Sequence, residues 1–193
     1  MAEGPDASRP QERAPSLHVE PAGMHATAQH YIRDLIYGAN DGILTTFAVV
    51  AGVTGGTLPL RAVLILGAAN LVADGLSMGV GNYLGIQAEE RAREAQGLAE
   101  REAYPVRHGL ATFLAFVVAG AAPLVPYVVV PALAAWHFPL AAVTALVTLF
   151  LVGAARARVT TESWWRSGAE MLLLGTAVAL VAYFIGGLIA GLV

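Results

Sequence analysis

Two aspartates, Asp41 and Asp74, lie inside strongly apolar segments of the chain. All eleven basic residues are arginines that fall outside these segments, so neither carboxylate has an evident ion-pair partner nearby. If the segments cross a membrane, an ionised carboxylate near the bilayer centre costs roughly 2.5 to 3.5 kcal/mol. Such a group is stable when it holds a proton or binds a visiting cation. A carboxylate that exchanges one for the other has the chemistry of an ion exchanger.

The segment around Asp74 also carries a polar stripe, which we define as Asn70, Asp74, Met78 and Asn82. These residues recur every four positions, so they lie on neighbouring turns of one helix face. Carboxylate and amide oxygens suit Mn²⁺ and Fe²⁺, whereas a thioether favours softer ions over Ca²⁺ and Mg²⁺. Asp41 and Met78 each lie about five residues from the middle of their segments, roughly 7 to 8 Å along a helix, so antiparallel helices would place them at one depth. The pattern predicts a site for a borderline divalent metal.

Each of these residues also has a purely structural interpretation. A protonated aspartic acid can be hydrogen-bonded inside a helix bundle. Methionine in an apolar helix usually fills space in the core, and asparagines can hydrogen-bond neighbouring helices together. Asn40, Asn70 and Asn82 therefore remain open between ligand and structural roles.

The composition indicates an integral membrane protein, because 56% of the 193 residues are apolar and only 13% are charged. The chain has no cysteine, so any metal must be held by oxygen, imidazole or thioether groups. We predict no cofactor other than a transported ion. No basic patch with interleaved aromatic residues is present outside the apolar segments, which argues against a nucleic-acid partner.

We predict an all-α fold with five transmembrane helices, each long enough to cross or nearly cross a bilayer of about 30 Å. Residues 1–28 are rich in Pro, Ala, Glu and Arg and are expected to form a disordered tail ahead of a membrane domain over residues 29–193. A short helical loop is expected at about 86–108. The predicted spans are residues 35–56, 62–85, 109–134, 138–155 and 169–192.

The arginines predict the orientation in the membrane. Ten of them flank one side of the five spans, and only Arg61 lies on the other side. By the positive-inside rule the N-terminus is cytoplasmic and the C-terminus is outside. The use of arginine alone and the richness in Ala, Gly and Val favour a GC-rich bacterial genome, and therefore the cell membrane.

Other polar or helix-breaking residues have open roles. Pro123, Pro126 and Pro131 predict a kink in the third span, which either shapes packing or lines a pathway. Glu170 would favour the N-terminus of the fifth helix or mark a metal entrance. Glu90 and Glu94 carry like charges one turn apart in the loop, a repulsion that a cation would relieve. His18, His25 and His30 form no recognised ligand spacing.

Four ordered segments resemble those of the vacuolar iron transporter family. They are RDLIYGANDGI at 33–43, LSMGVGNYL at 76–84, GAAPLVPY at 120–127, and SGAE at 167–170 followed by Ala182, Tyr183 and Gly186. The resemblance extends over nearly everything from Tyr31 to the C-terminus. It implies a five-helix protomer, a homodimer with the translocation path at the subunit interface, and export of Fe²⁺ or Mn²⁺ in exchange for protons.

In that resemblance Asp41 and Met78 take the transport-site positions, and Asp74 ligates the ion or carries the counter-proton. Asn70 stands where iron-transporting relatives often carry glutamate, and Asp74 supplies an acid one turn later. Relatives also commonly insert a glutamate-rich metal-binding domain after the second span. Here only about two dozen residues separate Gly85 from Gly109, which leaves Glu90 and Glu94, with Glu89, as a remnant.

Two other functions are considered. Two intramembrane aspartates also form the catalytic pair of aspartyl intramembrane proteases, but those enzymes carry Gly-x-Gly-Asp, whereas this chain reads GAND at 38–41. A membrane scaffold that binds metal without transporting it is the third interpretation. The prediction that we carry forward is a transporter and not an enzyme.

Overall fold

The computed structural model describes residues 15–130, 134–158 and 162–192, and these residues form a helical bundle without strands. Seven α-helices are present in this part of the chain, together with 3₁₀ turns at Ala122–Leu124 and Ala134–Trp136. The helices are α1 Met24–His30, α2 Ile32–Gly55, α3 Leu60–Ala95, α4 Pro105–Gly120, α5 Val125–Val129, α6 His137–Arg156 and α7 Trp164–Ala190.

The predicted membrane spans are confirmed in number and order within the described residues. Five helical segments are long and apolar enough to cross a membrane, with α4 and α5 together forming the third: Ile32–Gly55, Leu60–Ala95, Pro105–Val129, His137–Arg156 and Trp164–Ala190. The protein is therefore a multi-pass membrane protein. Residues 131–133, at the predicted end of the third span, lie outside the described residues.

The second and third helices are joined by a tight hairpin whose residues specify its shape. The N–H groups of Gly56 and Leu58 donate to the carbonyls of Gly52 and Val53 at the end of α2. Thr57 then takes a left-handed φ of 54°, and Pro59 starts α3 from an extended conformation. Proline is favoured here because the first residues of a helix need no N–H partner within the helix.

Helix α2 is the centre of the bundle and packs against α4, α7, α6 and, less extensively, α3. Ile43, Val50 and Phe116 are fully buried in this core. Glycines allow the backbones to approach: a Cβ on Gly42 would overlap the Phe116 carbonyl of α4, and one on Gly55 would overlap the Tyr183 carbonyl of α7. In membranes, where apolar burial gives little drive for helix association, such close contacts hold helices together.

Helix α3 lies at the edge of the described bundle and is unusually long. It packs mainly on α4, where Gly79 and Gly109 face each other so closely that a Cβ on Gly79 would lie 2.8 Å from the Gly109 carbonyl oxygen. Its 36 residues extend about 54 Å, well beyond an apolar layer of about 30 Å. The opposite face of the helix exposes apolar side chains, among them Val72, Leu76, Val80 and Leu84.

The third span is interrupted as its prolines predict. Helix α4 ends at Gly120, a 3₁₀ turn containing Pro123 follows, and α5 restarts at Val125. The carbonyl oxygen of Ala121 accepts hydrogen bonds from the N–H groups of both Leu124 and Val125, which partly replaces the helical pattern. Pro123 and Pro126 are both buried, so the break lies inside the bundle.

The described part of the N-terminal segment contacts the loop between α3 and α4. The Leu17 N–H donates to the Glu100 carbonyl at 2.7 Å, and Arg107 pairs with Glu20 at 2.8 Å. Residues 1–14 of the tail expected to be disordered lie outside the described residues, whereas residues 24–30 form α1. We call this part of the bundle the arginine-rich end; its arginines are Arg33, Arg91, Arg93, Arg101, Arg107, Arg156, Arg158 and Arg166.

Candidate functional site

Asp41 of α2 and Asp74 of α3 form what we call the carboxylate pair. Both are half-buried, and their carboxylates are close enough to interact electrostatically. Among the described residues, neither has an arginine or histidine within ion-pair distance. The two acids predicted from the sequence are therefore within electrostatic reach of each other, and no fixed positive charge among the described residues is paired with them.

A nearby hydrogen bond fixes the register of α2 against α3. The Asn82 side-chain N–H₂ donates to Asp34 Oδ1 at 2.9 Å. Because the helices are antiparallel, moving seven residues along α2 from Asp34 to Asp41 corresponds to moving back seven along α3, from Asn82 to Gly75. Asp74 is thus nearly level with Asp41, while Met78 lies about one turn nearer the arginine-rich end, roughly 5 Å along the axis.

Unpaired amides accompany the carboxylate pair. Asn40 Oδ1, next to Asp41, and Asn70 Nδ2, one turn before Asp74, are buried without a hydrogen-bond partner within the described structure. Met78 is partly buried and packs against the apolar core. Buried polar atoms are almost always paired, so two unpaired amides beside two acids mark a place where water or an ion completes the contacts.

A second group of polar residues lies at the arginine-rich end, and we call it the end network. Its centre is Asp34, only 2% of whose side chain is exposed. Asp34 shares a hydrogen bond with His108 Nδ1 and accepts one from Asn82, which also donates to Thr112 at 2.8 Å. The end network is defined as Asp34, Asn82, His108, Thr112, Glu102, His18 and His30.

The outer part of the end network is built around Glu102. Its Oε1 lies 3.1 Å from His108 Nε2, 3.2 Å from His18 Nδ1 and 3.3 Å from His30 Nε2. Burial works to raise the pKa of Glu102, but the contact with His108 and the charges of His108, His30 and His18 together hold that pKa below the usual glutamate value. The carboxylate is therefore ionised at neutral pH.

Glu90 and Glu94 lie on the part of α3 that extends beyond the apolar layer, as the predicted helical loop requires. Glu90 accepts hydrogen bonds from the backbone N–H groups of Arg101 and Glu102, at 3.0 and 3.1 Å. These bonds hold the turn that follows α3, which gives Glu90 a structural role. Glu94 is exposed on the same helix.

Glu170 lies in the second turn of α7, beyond the first turn in which a carboxylate favours a helix N-terminus. It pairs with Arg156 at 2.8 Å, and Arg156 also contacts Glu162 and Ser167. The structure thus places Glu170 in an exposed ion-pair group between α6 and α7, at the arginine-rich end.

The end network was not predicted from the sequence as a site. Its members come from the N-terminal segment, α1, α2, α3, the following loop and α4, and the outermost two, His18 and Thr112, are 94 positions apart. Because they lie on different elements, no periodicity within a single helix indicates that they come together. The one available signal is the position of Asp34 and His108 at the ends of apolar segments, where a charged residue that is buried needs a partner.

Comparison with known proteins agrees with this architecture. The model of the VIT family matches residues 32–104 and 90–187, which together include all five spans. The chain belongs to the VIT family.

Several relatives align with most of the chain. The vacuolar iron transporter of Toxoplasma gondii is 25% identical over an alignment of 228 positions that covers 84% of this chain and 76% of the relative. Vacuolar iron transporter 1 of Arabidopsis thaliana is 26% identical, with 82% and 86% covered. Vacuolar iron transporter homolog 1 of Oryza sativa subsp. japonica is 32% identical over 168 positions, with 79% and 71% covered.

The alignment lengths differ between relatives. The 228 positions aligned with the Toxoplasma gondii protein exceed the 193 residues of this VIT family member, so that relative carries additional residues. The rice homolog aligns with a similar share of the chain over 168 positions.

Proposed function

We propose that this protein exports a divalent transition metal, Fe²⁺ or Mn²⁺, from the cytosol in exchange for protons. The observation that carries the proposal is the carboxylate pair, which joins two interacting acids inside the membrane region without a basic partner. Close carboxylates without a counter-charge hold either a proton or a cation, and alternation between these states couples their movements. Relatives named vacuolar iron transporters support a metal substrate.

In this mechanism Asp41 and Asp74 are level and hold the ion between α2 and α3. Met78 contributes its thioether from one turn nearer the arginine-rich end, and Asn70 its amide from one turn farther. A thioether in the set favours Fe²⁺ and Mn²⁺ over Ca²⁺. When a carboxylate takes up a proton, its attraction for the metal falls and the ion is released.

The transporter is proposed to work as a homodimer. Asp74 and Met78 are only half-buried and Ser77 is exposed, all on an edge helix that faces lipid in a single protomer. An ionisable group in contact with lipid is unfavourable, and a second copy of α3 would cover it. Two copies would also bring two carboxylate pairs to one interface and complete the coordination of the ion.

The orientation follows from the arginine-rich end, which we place in the cytosol by the positive-inside rule, in the cell membrane. A groove of about 440 Å³ opens there, lined in part by Asp34, Tyr37, Asn82 and Glu89. It lies between α2 and α3 on the cytosolic side of the carboxylate pair. A cation entering from the cytosol would meet acidic and amide oxygens along this groove.

The experiment is metal flux into proteoliposomes loaded with a metal-quenched fluorophore. We compare Fe²⁺, Mn²⁺, Zn²⁺ and Ca²⁺, each with and without a proton gradient, for the wild type, Asp41→Asn and Asp74→Asn. Glu100→Gln, an exposed loop acid outside the pathway, is the matched control. We expect Fe²⁺ or Mn²⁺ flux that increases with the gradient, is lost in both aspartate variants and is retained in the control. Flux unchanged in both aspartate variants would remove the proposal.

The proximity of the two carboxylates also permits a second function. Paired aspartates that share one proton are the catalytic group of aspartyl hydrolases. That function predicts cleavage of a membrane peptide, abolished by the same variants, with no metal flux in the wild type. A scaffold that only binds metal predicts binding without either flux or cleavage.

A further inference from the structure

Two imidazoles and one carboxylate converge at the arginine-rich end, beyond Asp34 and His108 as seen from the carboxylate pair; Asp34 itself lies seven residues, roughly 10 Å along α2, from Asp41. One ligand atom each from His18, His30 and Glu102 lies within 4.8 Å of the others. The three residues come from the N-terminal segment, α1 and the α3–α4 loop. We call them the imidazole cluster.

The nitrogens of this cluster converge on a single carboxylate oxygen. Three imidazole nitrogens, from His18, His30 and the adjoining His108, lie within 3.3 Å of Glu102 Oε1. Among the described residues, these four side chains contribute five of the nine buried nitrogen and oxygen atoms whose contacts do not reach hydrogen-bond geometry. Several such atoms at one point are rare, and an ion is one of the few groups that could satisfy them together.

Two of the three ligand spacings are close to those around a metal ion. Bonds of about 2.0 to 2.2 Å in a tetrahedral site place neighbouring ligand atoms roughly 3.3 to 3.6 Å apart. Glu102 Oε1 is 3.2 Å from His18 Nδ1 and 3.3 Å from His30 Nε2, and the ligand atoms of the cluster all lie within 4.8 Å of one another. An adjustment of the side chains would surround one cation with two nitrogens and one oxygen.

Three imidazole rings lie around one carboxylate. The ring centroids of His18 and His30 are 5.9 Å apart and those of His30 and His108 are 5.1 Å apart. This places more nitrogen ligands near Glu102 than one carboxylate oxygen can bind with good geometry, whereas a cation can bind several imidazoles at once.

Other contacts hold the cluster in place. The Leu17–Glu100 backbone hydrogen bond fixes the residue next to His18, and Glu90 holds the backbone N–H of Glu102. On the inner side, Asp34 orients His108, whose Nε2 faces the same Glu102 oxygen. Outer hydrogen-bonded groups of this kind orient the ligands of protein metal sites.

A metal ion can also reach the cluster. A groove of about 380 Å³ borders it, with His30, Glu90, Glu102 and His108 in its lining. The side chains of His30 and Glu102 are 23% and 18% exposed, against 6% for His108. Two of the three ligands are thus partly open to solvent, whereas the His18 side chain, at 8%, is nearly as buried as His108.

We propose that His18, His30 and Glu102 form a binding site for a borderline divalent transition metal, separate from the carboxylate pair. Two imidazoles and one carboxylate leave a fourth position for water, and this donor set suits ions such as Zn²⁺, Fe²⁺ and Co²⁺. Metal binding fastens the N-terminal segment to the α3–α4 loop. The site does not depend on the proposed transport function.

The test uses the full chain in detergent, stripped of metal and titrated with Co²⁺ and Zn²⁺. The visible absorption of bound Co²⁺ reports histidine ligation and low coordination number, and calorimetry with Zn²⁺ gives affinity and stoichiometry. The variants are His18→Ala with His30→Ala, and Glu102→Gln. His25→Ala, an exposed histidine on α1 outside the cluster, is the matched control. Asp41→Asn with Asp74→Asn removes the carboxylate pair and leaves the cluster intact.

We expect the Co²⁺ spectrum in the wild type, in His25→Ala and in the double aspartate variant. The double histidine variant should lose it, with Zn²⁺ affinity at this site weakened by at least about 100-fold, because changes even in outer groups cost 10- to 100-fold. Thermal unfolding without metal should be similar for His25→Ala and the double histidine variant. An unchanged Co²⁺ spectrum in the double histidine variant, or its loss in the double aspartate variant, would overturn the proposal.

Discussion

The carboxylate pair and the end network are both polar groups attached to α2 and α3, yet their hydrogen bonding is opposite. Asp34 has partners in His108 and Asn82 and is almost completely buried. Asp41 and Asp74 interact electrostatically without a basic partner among the described residues, and an unpaired amide, Asn70, lies one turn from Asp74. The comparison teaches that a paired acid stabilises the fold, whereas an acid left without a partner remains able to bind something else.

The largest effect on stability is expected from substitution of Asp34, the acid that has hydrogen-bond partners. Asp34→Ala leaves His108 and Asn82 without their common partner, and breaking a buried charged pair typically costs about 3 to 5 kcal/mol. We expect a loss of that order in the free energy of unfolding, measured by denaturant titration in detergent. Asp34→Asn, which can keep one hydrogen bond, should lose less. A loss below about 1 kcal/mol for Asp34→Ala would show that the network does not support the fold.

The next largest effect on stability is expected at the contact between Gly79 and Gly109, which packs α3 against α4 between the carboxylate pair and the end network. Gly79→Ala places a Cβ against the backbone of Gly109, which has no flexible side chain to move away. We expect destabilisation of about 1 to 3 kcal/mol in thermal unfolding. Gly81→Ala on the same helix is the matched control, because its Cβ would meet nothing within 4 Å. Equal stability of the two variants would contradict the packing described.

The unpaired acids should affect stability least among the buried carboxylates. Asp41→Asn and Asp74→Asn remove a repulsion between like charges without breaking an ion pair, so we expect the free energy of unfolding to change by less than about 1 kcal/mol. The same denaturant titration checks this. A loss as large as that of Asp34→Ala would remove the distinction between the two regions.

The smallest effect is expected at Glu170. Its ion pair with Arg156 is exposed, and such pairs contribute about 0 to 1 kcal/mol. Glu170→Gln should therefore leave thermal unfolding nearly unchanged. If Glu170 also lies at a metal entrance, the flux of Fe²⁺ or Mn²⁺ in vesicles should fall while stability does not, with Glu162→Gln as the control for the ion-pair group.

The parts of the molecule that depend on local pattern could be predicted from the sequence. Long apolar runs predicted the five spans, and prolines predicted the break after Gly120. The four-residue spacing predicted that one helix face carries Asn70, Asp74, Met78 and Asn82. Helical structure was predicted for the charged residues that follow the second span, but its continuity with α3 as far as Ala95 was not, because hydropathy marks the end of the apolar segment and not the end of the helix. Its length depends on tertiary contacts such as those of Glu90.

The end network could not be predicted in the same way. His18 belongs to a segment whose composition indicates disorder, and its ordering depends on a hydrogen bond from Leu17 to the loop at Glu100. Asp34 and His108 are 74 positions apart and meet because α2 and α4 pack backbone to backbone at their glycines. The spacing of residues along the sequence does not indicate that two such distant side chains will be in contact.

The unbroken length of α3 has a mechanical consequence. From Asp74 to Glu90 the helix runs 16 residues, about 24 Å, without a proline or a change of helix type. An unbroken helix of this kind has no hinge that could absorb a displacement. A displacement of the turn held by Glu90, for example when the N-terminal segment binds more or less tightly, would therefore tilt or shift the whole helix. That movement would change the position of Asp74 in the carboxylate pair.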